Sequence, residues 1–200
     1  MTVELQALVR SAIPLSEVLE HVATSISRFV RTPGMTPLEV EGASTPPSEI
    51  IIGPYPVDRS GPRPRPFSIW PAHYLCISSG RDTCVGLAVG HLLRDEEAGI
   101  TVAQLSEAVR LQREERAGYR AMIDIGFGRT RTSFALGAFL AYSIATLNRS
   151  RILDDEGHFK QGELLDPQTV AARFANHRDA RSFADFSELF CDELGVRFGE

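Results

Sequence analysis

Cys84-Val-Gly-Leu-Ala-Val-Gly-His-Leu-Leu93 is the stretch whose reading decides the fold. With Asp82 or Thr83 as cap and Gly99 as stop, Val85, Leu87, Ala88, Val89, Leu92 and Leu93 predict a helix that is apolar on most sides and therefore deeply buried. It would be the first of four consecutive helices between Cys84 and Leu147. In the next, Thr101-Val-Ala-Gln104 has a hydroxyl and an amide spaced to satisfy each other's orphan backbone donors, a capping box, and that helix ends near Arg110. A third is expected from Gln112 to about Ile125 with Tyr119, Met122 and Ile123 inward, closed by Gly126-Phe-Gly128. The fourth, Ser133 to Leu147, is the longest apolar run, yet falls short of the roughly 18–20 residues that span a bilayer. It reads as a buried central helix.

Beyond it, Arg151-Ile-Leu153 and His158-Phe-Lys160 flank a turn with Gly157 and predict a hairpin. Two helices follow. One starts at Asp166 with Pro167 in its first turn; the other starts near Ser182, buries Phe183, Phe186, Leu189, Phe190 and Leu194, and stops at Gly195.

Upstream, all the chain's 12 prolines except Pro14 and Pro167 lie between Pro33 and Pro71, a density incompatible with a continuous helix or a central strand. This connector has room for short strands at Ile50-Ile-Ile52 and His73 to Ser78, and Gly61-Pro-Arg-Pro-Arg-Pro66 favours an extended polyproline conformation that serves as a rigid surface linker. From Val3 to Val30, Leu5, Leu8, Val9, Ala12, Leu15, Leu19, Val22, Ile26 and Phe29 recur at helical spacing, with Pro14 breaking the run into two helices or kinking it. The expected fold is thus mainly α: amphipathic helices over 1–32, a proline-rich connector over 33–71, and a helical core with a short β-hairpin over 72–200.

The chain has 200 residues, 43% of them hydrophobic, and a net charge of −5. Such a chain buries one sizeable core, and its overall field disfavours wholesale binding to nucleic acid or an anionic membrane. Cys76, Cys84 and Cys191 show neither a CxxC nor a zinc spacing, so reduced thiols are expected. No secretory leader is evident in the first 30 residues, which points to the cytoplasm and away from the membrane. His91 with Asp95, Glu96 and Glu97 offers nitrogen and oxygen ligands, but consecutive acids are ordinarily a solvated helix end. Neither metal nor cofactor is expected.

Three groups of residues are candidates for function. Arg113, Arg116 and Arg120 would share one face of the third helix, and Arg129 and Arg131 follow it, where guanidinium forks suit phosphate or carboxylate. These five arginines define a contact surface on a non-catalytic binding or adaptor subunit, for a protein partner or for nucleic acid. Gly126-Phe-Gly128-Arg-Thr-Arg-Thr-Ser133 adds backbone donors at a helix start, a setting for an anion. The apolar stripe of residues 1–32 has no evident partner within the chain and suggests a homo-oligomer.

Three resemblances sharpen these expectations. Gly99-Ile-Thr-Val-Ala-Gln-Leu-Ser-Glu-Ala-Val-Arg-Leu111 resembles the second helix of a winged-helix module, which would make Gln112 to Ile125 its recognition helix in the major groove. Gly80-Arg-Asp-Thr-Cys-Val-Gly-Leu-Ala88 resembles the nucleophile segment of papain-like cysteine peptidases. That likeness implies a cysteine hydrolase with Cys84 at a helix N-terminus, His158 or His177 as base and Asn176 as orienting residue. Finally, Ile125 to Arg131, the apolar helix and Arg151-Ile-Leu-Asp-Asp-Glu-Gly157 together are similar to the middle component of bacterial three-component ABC-type defence systems.

Overall fold

A computed structural model describes residues 3–31, 34–35, 37–41, 46–52, 75–80, 82–91, 121–154, 157–159 and 164–198. Alternation, not helical periodicity, governs the stretch that opens at Cys84. Val85 and Leu87 are fully buried, Cys84 is exposed and Gly86 is half-buried. This is the two-residue repeat of a strand with one covered face. Cys84–His91 is accordingly strand β6 of a seven-stranded antiparallel sheet, whose other strands are β1 (Val3–Val9), β3 (Glu39–Glu41), β5 (Leu75–Ser78), β7 (Ala121–Phe127), β8 (Ile152–Leu153) and β9 (Leu164–Leu165). Their order across the sheet is β3-β5-β6-β7-β1-β8-β9. A separate pair joins β2 (Ile13–Pro14) to β4 (Ile51–Ile52). The described helices are α1 (Leu15–Phe29), α2 (Arg131–Asn148), α3 (Pro167–Ala175) and α4 (Phe183–Leu194).

The mainly α expectation is therefore wrong, and three segments account for it. β1 stands where the first N-terminal helix was expected. It pairs with β7 from Val3↔Phe127 to Val9↔Ala121, which buries Leu5, Ala7 and Val9 on the same face as Ile123, Ile125 and Phe127. β6 pairs with the other side of β7, from Val85↔Phe127 to His91↔Ala121. β7 takes up 121–125, the end of the expected recognition helix, so the winged-helix reading fails at the element meant to enter DNA. In β6, and in β7 from Ile123 to Phe127, large apolar residues alternate with small or polar ones, whereas β1 keeps that alternation only as far as Gln6. Glycine at 86, 90 and 126 weakens a helix further, and hydrogen bonds to strands distant in sequence complete the backbone.

Helix α2 lies against β1, β6 and β7, and α1, α3 and α4 pack on it. Every residue from Ser133 to Ala145 is buried, as the apolar run predicts. Gly137 permits the closest approach to the sheet: a Cβ there would stand 2.5 Å from Cδ1 of Phe127. Around α2 the aromatic residues form the centre of the core, with Phe139 stacked on Phe174 at a centroid distance of 4.1 Å and both fully buried. Among the described residues, no helix is long and apolar enough to cross a membrane.

The amphipathic half of the N-terminal reading holds in α1, which buries Leu15, Val18, Val22, Ile26 and Phe29, worth about 1.5–3 kcal/mol each relative to exposure. Since this stripe is buried within the chain, largely against α2, it does not supply the unpartnered apolar face on which self-association through residues 1–32 was expected. Polar groups inside the core brace one element to another. Asn148 at the end of α2 accepts from the backbone N–H groups of Arg10 and Ser11, both at 3.0 Å, and so fastens the turn after β1. His21 Nδ1 lies 3.0 Å from Ser143 Oγ, linking α1 to α2.

The C-terminal expectations stand with small changes and one correction: Leu189, expected inside, is 43% exposed, because it falls off the stripe formed by Phe183, Phe186, Phe190 and Leu194. Asp166 and Ser182 cap α3 and α4 through their side chains, and Gly195, at φ 71°, ends α4. The hairpin forms between β8 and β9, with His158 and Phe159 in its turn instead of its second strand. Fully buried Asp154 organises that turn by accepting from the amides of His158 and Phe159 at 3.0 and 2.8 Å.

Candidate functional site

The glycine loop after β7 and the tip of the β5–β6 hairpin meet at the N-terminus of α2, where most of the described candidate groups gather. Thr130 is the cap. Its Oγ1 accepts from the Ser133 amide at 3.1 Å and reaches the Asp82 carbonyl at 2.9 Å and Ser133 Oγ at 2.8 Å; with a single proton, it donates to one of these at a time. Ser133 Oγ in turn accepts from the Cys84 amide at 3.0 Å, and the Gly128 amide donates to the Cys84 carbonyl at 3.3 Å. Gly128 suits this crowding, because an added Cβ would lie 3.2 Å from Ser133 Oγ. The helix start is thus occupied by the chain's own hydroxyls, which answers the donor that the anion reading needed at Ser133.

The two arginines of the loop differ. Arg129 is exposed. Arg131 turns back onto α4: its Nη1 lies 2.5 Å from Asp192 Oδ1, 3.0 Å from the Glu188 carboxylate and 3.2 Å from the Glu188 carbonyl. The hydrogen bond to Asp192 raises its pKa further above the usual arginine value. Arg131 therefore joins α2 to α4 and is not a free contact group. Arg113, Arg116 and Arg120 lie outside the described residues.

Cys84 is bonded to Cys76 in a disulfide, with the two Cα atoms 6.2 Å apart, which corrects the expectation of reduced thiols. The pairing follows from register: Cys76 faces Gly86 and Ser78 faces Cys84, so the two cysteines are diagonal neighbours on one face of the hairpin. Sequence alone could have suggested this bond had β5 and β6 both been read as strands around the turn Ser79 to Thr83. Nor does Cys84 stand at a helix N-terminus, the setting that would lower a thiol pKa in the hydrolase reading.

The sheet itself separates the hydrolase candidates. Cys84 is out of phase with buried Val85 and Leu87, so it projects from the face opposite α2. His158 meets Phe127 and Phe134 edge-on, at centroid distances of 6.4 and 5.4 Å, both on the helical side. His177 is also in the helical layer, against Phe186 and Phe190 of α4, with Nε2 2.6 Å from Glu193 Oε2. Glu193 further accepts from Arg173 Nη1 at 2.6 Å and from exposed Asn176 at 3.3 Å. Burial works to raise the Glu193 pKa, but bonds from Arg173, Asn176 and His177 bring it below the usual glutamate value. The structure brings His177 and Asn176 together around a carboxylate, with the sheet between this cluster and Cys84. The third cysteine, Cys191, is fully buried, and burial pushes its thiol pKa up to about 12.

Among the described residues, no group of three or more histidine, cysteine or acidic side chains is arranged to hold a metal ion, and Asp95, Glu96 and Glu97 fall outside them. Compared with known protein families, with curated proteins and with solved structures, the chain matches none.

Proposed function

We propose that this chain is a non-catalytic binding or adaptor subunit that engages a protein partner through Arg113, Arg116, Arg120 and Arg129. The observation that carries the reading is the division of the molecule by its sheet. Cys84 is tied to Cys76 on one face, while His158 and His177 pack among phenylalanines on the other. The described polar groups thus serve as braces between elements, and Arg129 remains exposed beside the rigid start of the central helix. A subunit role is also what the likeness of 125–157 to a middle component of ABC-type defence systems implies. The net charge of −5 favours a protein over nucleic acid as the partner, with the arginines as a local exception to an acidic surface.

Affinity capture of the full chain from its own cells tests this, comparing wild type with a variant carrying Arg113→Glu, Arg116→Glu, Arg120→Glu and Arg129→Glu. The expected result is loss of a stoichiometric partner by roughly tenfold or more, reproduced in the wild type by high salt because exposed charges are screened. Unchanged recovery rejects the arginine surface, and tight binding of the wild type to a DNA duplex would move the reading to nucleic acid. Hydrolysis of a peptide or ester by the reduced protein, abolished by Cys84→Ala, would overturn the non-catalytic assignment.

A further inference from the structure

We propose that Cys76 and Cys84 form a reversible redox latch, opened by an external dithiol, and that opening it loosens the β3–β5 edge of the sheet. The inference goes beyond the adaptor reading and does not depend on it.

Position and access support the latch. Cys84 is exposed and Cys76 half-buried, on the sheet face that α2 does not cover. An attacking thiolate can reach the Cys84 sulfur, and access is one of the conditions for exchange. The remaining thiol, Cys191, is buried in the helical layer and, with its pKa near 12, stays protonated, so it does not compete for the bond. The bond spans a sequence separation of 8 within a hairpin whose backbone ladder already closes the loop, so it adds little to global stability and acts locally.

In the exchange, a thiolate of the dithiol attacks Cys84 Sγ, the Sγ–Sγ bond breaks and Cys76 leaves as a thiolate. The second thiolate of the reagent then attacks the reagent's own sulfur in the mixed disulfide and releases Cys84. Two electrons pass to the protein, the dithiol departs as its disulfide, and its two protons end on Cys76 and Cys84. Oxidised glutathione reverses the sequence, leaving as two molecules of glutathione.

Topology decides what the latch controls. β6 keeps its seven register pairs to β7 and its bonds to Ser133 and Gly128, so its anchoring does not depend on the disulfide. Among the described residues β5 joins β6 by four pairs, from Leu75↔Leu87 to Ser78↔Cys84, and β3 beyond it by three, with a long Ser78 Oγ to Glu41 contact of 3.4 Å. Short outer strands with few ladder bonds are the parts of a sheet that open locally.

Alkylation mass and hydrogen exchange of the full chain test the latch, using air-oxidised protein, protein reduced with dithiothreitol, and Cys76→Ser/Cys84→Ser. One alkylatable thiol is expected after oxidation and denaturation, and three after reduction. Amides of 75–78 and 39–41 should exchange at least tenfold faster in both the reduced protein and the double variant. Those of 122–127 should not change, and oxidised glutathione should restore protection. If the double variant does not fold, reduced wild type supplies the same comparison without substitution. Three free thiols in the oxidised protein, equal protection of 75–78 in both redox states, or loss of protection throughout β7 would each overturn the proposal.

Discussion

Strand β6 and helix α2 are both apolar and both contain glycine, yet they bury their residues in opposite ways. β6 covers Val85 and Leu87 and leaves Cys84 in solvent, while α2 covers every residue from Ser133 to Ala145. The difference lies in where each finds its backbone partners. α2 satisfies its own N–H and C=O groups and can be surrounded by side chains on all sides, whereas β6 borrows partners from β5 and β7 and is left with two distinct faces. One region is a self-contained rod, the other a shared plane, and the functional groups follow this division: a disulfide on the face away from α2, aromatic packing around the rod.

The largest test of this contrast is truncation of a buried side chain in each region. Phe139→Ala should cost about 3–5 kcal/mol and Leu87→Ala about 2–5 kcal/mol in denaturant unfolding, since both residues are fully buried. Gly86→Ala should cost less than about 1 kcal/mol, because its face is only half-covered. If Gly86→Ala matched Leu87→Ala, the alternation assigned to β6 would be wrong.

A smaller effect is expected where rod and plane touch. Gly137→Ala improves helix propensity but drives a methyl into the Phe127 ring at 2.5 Å, so a net loss of about 1–3 kcal/mol is expected. Phe127→Leu should recover part of it in a double-mutant cycle, and full additivity would mean that the two do not meet.

The smallest effect is on acid stability, and it should fall on the helical layer first. His21, against Ser143 of α2, has its pKa lowered by burial, with Glu17 opposing. The folded state prefers the neutral ring, so this contribution is intact above about 6.5 and is lost as pH falls through the lowered folded value. A second decline belongs to Glu193, whose depressed pKa contributes stability above about 4.5 that is lost as pH falls further. Unfolding midpoints measured from pH 7 to 4 should show the first decline in wild type and not in His21→Gln; a slope unchanged by that substitution would remove His21 from the account.

Legibility followed the same line. α2, α3 and α4 were evident because a helix writes its caps and its burial locally: Asp166 before Pro167, Ser182 before an amphipathic run, Gly195 at the end. β1 misled because Leu5, Leu8 and Val9 fit helical spacing as well as they fit a strand that is covered at Leu8 on its second face. β6 carried a usable signal, since Val85, Leu87 and Val89 alternate with Gly86, Ala88 and Gly90. For the site, the Thr130 to Ser133 cap could be anticipated from hydroxyls before an apolar helix. The Cys76–Cys84 bond could be anticipated only once 84–91 is read as a strand that pairs with 75–78. The tie from Arg131 to α4 could not, because it joins residues through packing that no local pattern encodes.

By itself the sequence determined the central buried helix and the capped C-terminal pair, because these depend on interactions within a few residues, and it marked the short strands at 51–52 and 75–78 without naming their partners at 13–14 and 39–41. Only the tertiary structure decided that 3–9, 84–91 and 121–127 are strands, that Cys84 meets Cys76, and that Cys84 and the histidines occupy opposite sides of the sheet. The physical reason is that a strand's hydrogen-bond partners lie on other strands. For β1 and β7 they are separated by more than a hundred residues of chain, and a pattern of side chains becomes a face only once those partners are in place.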